Sequence, residues 1–154
     1  MYPYILFLHS ITRWFVLVSL LYSIYRGLKG WSGTIPFTKR DNTIRHVTAT
    51  IAHVQLILGI CLYSISPLIR YFWSNYKEAV HEREIRFFGM EHSLMMLVAI
   101  TIITIGSILA KRKKTDKEKF RTMAIWYGLG LLVILISIPW PFSAMVSRPW
   151  VRML

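Results

Sequence analysis

Four apolar stretches, at about residues 4–25, 46–69, 87–110 and 122–142, constrain this chain more than any other feature. Each is about 20 residues or longer, and a helix rising 1.5 Å per residue needs about 20 to cross a roughly 30 Å hydrocarbon layer. None alternates with the two-residue period of a barrel strand. The expected architecture is therefore all-α, an integral membrane four-helix up-down bundle, with residues 1–154 forming one membrane domain. Connections this short favour sequential antiparallel neighbours. The first and third spans then run parallel and sit diagonally across the core.

Charge divides the chain in the same way. There are 19 Lys and Arg against 7 Asp and Glu, a net charge of +12. In a soluble domain that excess would point to nucleic acid. Here the bases lie between apolar blocks, where they meet anionic lipid headgroups, so no nucleic-acid partner is expected. The first connection carries Arg26, Lys29, Lys39, Arg40 and Arg45, and the third, "KRKKTDKEKFR", is denser still. In the second connection Glu78, Glu82 and Glu84 dilute the bases, and the tail holds only Arg148 and Arg152. The positive-inside rule then puts the first and third connections in the cytoplasm and both termini outside. Cys61, the single cysteine, excludes a disulfide framework and a thiolate cluster. "MYPYILFLHS" has no basic leader region and no cleavage site after it, so it reads as a span rather than a signal peptide.

Ionisable groups inside an apolar span are costly and usually face a cavity, a partner or a cofactor. His9, Arg13, His53, Glu91 and His92 are such groups, whereas His46 and His81 fall in solvated zones. His9 lies about 7–8 Å along the first span from its outer end, and His92 about 9 Å along the third. Two imidazoles at one level on diagonal helices suit the axial positions of a b-type haem. Gly89, three residues before His92, would leave room for the porphyrin, and Gly59, Gly106, Gly128 and Gly130 offer close approach to a helix or a flat ligand. Arg13, one turn past His9, would neutralise a propionate or pair with Glu91. His53 sits about 11–12 Å deeper. It remains an axial candidate, which would leave His9 or His92 to hydrogen-bond a quinone.

Other uses of these side chains stay open. Copper or non-haem iron accepts imidazole with carboxylate, but the adjacent Glu91 and His92 point about 100° apart on a helix. Met90, Met95 and Met96 would be soft ligands or packing. Buried histidines also serve as interhelical glue, worth about 1 kcal/mol each. That use would suit a structural or assembly subunit of a membrane complex.

"LHSITRW" (8–14), "IAHVQLILGICLYSISP" (51–67), "RFFGMEHSLMMLVAI" (86–100) and "TDKEKFRTMAIWYGLGLLVILISIPW" (115–140) resemble the small four-helix bacterial membrane proteins labelled cytochrome B-like. The resemblance covers nearly the whole chain. It implies haem binding and electron transfer in the bacterial inner membrane, carried by His9, His53 and His92, and leaves open which two ligate iron. The chain lacks the paired histidines on each of two helices that a two-haem core carries, so one haem is expected. With no nucleophile–base pair and no phosphate-binding loop, an electron carrier is expected rather than an independent catalyst. The small size suggests a subunit of a larger assembly.

Overall fold

The computed structural model describes residues 1–142, 146 and 148–151. Arg152 lies outside the described residues. The chain is an all-α four-helix bundle, and no strand occurs among the described residues. Four helical stretches, Tyr2–Ser32, Lys39–Ile65, Arg83–Arg112 and Asp116–Ser137, are long and apolar enough to cross a membrane, by length and composition. Their outward faces carry exposed Phe15, Val18, Leu132 and Ile136, side chains suited to lipid contact.

The elements are α1 (Tyr2–Ser32), α2 (Lys39–Ile65), α3 (Pro67–Ser74), α4 (Tyr76–Ala79), α5 (Arg83–Arg86), a π-helical turn (Phe87–Glu91), α6 (His92–Arg112) and α7 (Asp116–Ser137). α2 and α7 begin several residues before the apolar stretches they carry. The reason is local. Thr38 with Asp41, and Thr115 with Glu118, form capping boxes in which the hydroxyl accepts from a backbone N–H while the carboxylate reaches back to the cap. α2 ends at Ser66, held extended before Pro67, and Pro67 then opens α3 at a position where its missing N–H costs nothing. The second apolar stretch is thus a span followed by a short helix lying across the end of the bundle.

α1 packs on α2 and α7, and α6 on α7 and, most thinly, on α2. α1 and α6 therefore face each other diagonally, as the connection lengths imply. At the end carrying the basic connections the helices close tightly. A side chain at Gly30 would run into Phe120, 2.2 Å from its Cβ, and one at Gly130 would meet Ile103 at 2.5 Å. Small residues here let α7 approach both α1 and α6, as in other membrane bundles. Gly106 serves the same purpose against Trp126, whereas nothing lies within 4 Å of a side chain at Gly128.

Buried polar groups at this end are matched. Asp41 is fully buried and pairs with Arg26 at 2.6 Å. Arg45 donates to the Ser107 carbonyl at 2.9 Å and to Asn42, Tyr127 donates to the Arg45 carbonyl at 2.6 Å, and Ser23 and Thr48 bond at 2.7 Å. Arg45, read from sequence as part of a connection meeting lipid headgroups, is buried in the core, and so is Asp41.

Candidate functional site

The opposite end of the bundle holds a half-open cavity of about 580 Å³. Small-molecule and cofactor sites are typically about 300–1,000 Å³. Its walls are mostly apolar, with Val16, Leu56, Ile100, Ile134 and Ile138 at its base, and α3 covers one side through Leu68, Ile69 and Trp73. It lies where α2 and α6 pack more thinly than the other neighbouring helices. Three of the five ionisable candidates, His9, Arg13 and His92, line it, and His53 and Glu91 do not.

His92 starts α6 directly after the π turn. Its backbone N–H bonds to the Phe87 carbonyl, five residues back rather than four. One extra residue in a turn resets the phase of the helix that follows, and such bulges recur at functional sites. Glu91 is thereby turned to Arg86, 2.7 Å away, while the His92 ring points to α7, where Nδ1 lies 2.9 Å from the Ser137 carbonyl. A carbonyl only accepts, so Nδ1 carries the proton and Nε2 keeps its lone pair. This is how a protein orients an imidazole that ligates a metal: the second ring nitrogen is fixed by a backbone carbonyl.

His9, on α1, is held from α2. The Gln55 amide nitrogen donates to the His9 carbonyl at 3.0 Å and lies 3.3 Å from His9 Nε2. The first bond assigns that atom as nitrogen, so Nε2 is the accepting, unprotonated position. His9 Nδ1 is buried without a partner, and so are Gln55 Oε1 and Arg13 Nε. Buried polar atoms are nearly always paired. These three unpaired atoms all belong to side chains that line the one cavity. Gly59 lies against the His9 ring, where its Cβ would come within 3.4 Å of Cε1.

Two expectations need correction. Arg13 does not pair with Glu91; its guanidinium donates to the Trp150 carbonyl, which also accepts from Trp14. Gly89 does not leave room for a flat ligand, because the Phe72 ring of α3 sits where its side chain would be, 2.5 Å from the Cβ position. Helical three-residue spacing does not carry through the π turn, so the sequence offset between Gly89 and His92 misleads.

His53 is apart from the other two histidines. It is exposed, and its Nε2 lies 2.8 Å from the Thr104 hydroxyl, bridging α2 to α6 on the outside of the bundle. Residue 53 faces outward because Ala52 takes the buried position beside it. The structure also assembles groups that sequence reading missed: Gln55, Tyr63, Ser137 and Arg148. Tyr63 donates to the Gly89 carbonyl at 2.7 Å and accepts from Trp73, tying α2 and α3 to the π turn. Gln55 alone had a signal, being an amide inside an apolar run. No family model, curated protein or solved structure matches the chain.

Among the described residues no three His, Cys, Asp or Glu come together as a metal site. A porphyrin brings four nitrogens of its own and asks the protein for only two axial ligands.

Proposed function

We propose that the protein is a cytochrome B-like membrane protein whose cavity holds one b-type haem; His92 and His9 are the residues that would hold its iron, and Arg13 would balance a propionate. The observation that carries the reading is the orientation of His92: Nδ1–H is bound to the Ser137 carbonyl and the ring lines the same cavity as His9. Bound haem would supply reversible one-electron exchange. The chain's own part is to hold the ring between α1 and α6, to fix the His92 tautomer through α7, and to keep water out with the apolar walls. For His9 to ligate through Nε2, the Gln55 amide must give up that lone pair, and Gln55 retains its bond to the His9 carbonyl when it does. His53, on the outer face, has no place in this scheme.

The proposed setting is the bacterial inner membrane, with both termini periplasmic and the basic connections cytoplasmic. There the protein would pass electrons between membrane quinone and a partner, as one subunit of a larger assembly. The test is the optical spectrum of detergent-purified protein. A Soret band and a reduced α-band, both lost in His92→Ala, are expected. A colourless protein that binds no added haem would overturn the reading. One observation favours a second use: the His92–Ser137 and Gln55–His9 bonds each join two helices, as interhelical glue would. In that case alanine at His9 or His92 lowers stability or recovery of the complex and the spectrum has nothing to lose.

A further inference from the structure

Arg148 reads in the sequence as a tail charge, but it lines the cavity beside Pro149. Its guanidinium lies 4.9 Å from the centre of the Phe88 ring and pairs with Glu84 of the outer connection. Two residues on, the Trp150 carbonyl accepts from Arg13. The segment after α7 therefore brings one arginine to the cavity and orients another that comes from α1. Arg13 has no carboxylate partner among the described residues, and its Nε is buried and unpaired. A cation so placed in an apolar bundle is costly unless an anion joins it. Arg148 has an acid at hand, yet the Glu84 side chain is 51% exposed. Such a pair is weak, and water readily takes up the released carboxylate.

A guanidinium presents a planar fork that matches a carboxylate. We propose that Arg13 and Arg148 form a two-point clamp for the pair of carboxylates on the tetrapyrrole, and that Glu84 is the resident counter-ion which the ligand displaces from Arg148. This rests on the haem reading and adds a selectivity: the site takes the dianionic ring and discriminates against its neutral esters. The guanidinium on the tail also makes the tail part of the binding site.

The experiment strips any bound haem from detergent-purified protein, then titrates it with ferric haem and, separately, with ferric haem dimethyl ester, following the Soret shift. Wild type is expected to prefer the diacid. Arg148→Met should weaken diacid binding about tenfold or more, the loss of one charge-assisted hydrogen bond, and leave the diester unaffected. Glu84→Gln should tighten the diacid alone, because its competitor for Arg148 is gone. Equal weakening of both ligands by Arg148→Met would mean that the tail only closes the cavity, and would overturn the clamp. Wild type that binds diester as well as diacid would overturn the clamp and leave the haem reading standing. Wild type that shifts with neither ligand would remove the haem reading and the clamp together.

Discussion

The two ends of this bundle solve the problem of buried polarity in opposite ways. Toward the basic connections, the Asp41 carboxylate meets Arg26 and Thr38, Arg45 meets Ser107 and Asn42, and glycines let α7 close on α1 and α6. At the other end His9, Arg13 and Gln55 each leave a buried atom without a partner, around a cavity of about 580 Å³. Among the described residues, hydrogen bonding is completed at one end of the bundle and left open at the other. Unpaired groups of this kind are strain that a fold tolerates where a ligand will relieve it.

Substitutions at the two ends should therefore read out differently. On the proposed haem reading, the largest effect expected is from His92→Ala, which should abolish the Soret signal while a helical far-UV spectrum persists. Next, Asp41→Asn leaves Arg26 without its anion and weakens the N-terminal cap of α2. Removing one partner of a buried pair costs about 3–5 kcal/mol, and Arg26 is partly exposed, so about 2–4 kcal/mol is expected in detergent unfolding, with the haem spectrum unchanged at low temperature. Gly30→Leu drives a side chain into Phe120 and should cost at least about 1–3 kcal/mol, read as a lower Tm, again without a spectral change. Gly128→Ala, where nothing stands within 4 Å, should stabilise by no more than about 1 kcal/mol through helix propensity. His53→Ala should move the spectrum least of all, because that ring is outside the cavity. A spectral loss in Asp41→Asn or His53→Ala, with the fold intact, would break the division between the ends.

The span count and the diagonal placement of α1 and α6 were legible in the chain, because hydrophobic length and loop length report them directly. Rise per residue also put His9 and His92 toward one end of their helices, and both line the same cavity. Helix direction was harder to read. His53 and His9 look alike in sequence, and only the rotation of α2 about its axis puts one on Thr104 and the other's counterpart, Gln55, on the cavity. The role of Arg148 carried no local signal at all, since it depends on residues 148–151 packing near α1, where Trp150 meets Arg13 across 137 residues of sequence.

By itself the sequence determined that this protein is helical, that it has four spans, and which few side chains lie at unfavourable depth. Those properties follow from composition and periodicity, which act locally along the chain. The tertiary structure decided the rest: that the π turn aims His92 at Ser137 and sends Glu91 to Arg86, that Phe72 occupies the space beside Gly89, and that Arg13 is bound to a tail carbonyl. Each of these depends on which surfaces meet, and a contact between distant segments is chosen by packing the whole bundle at once.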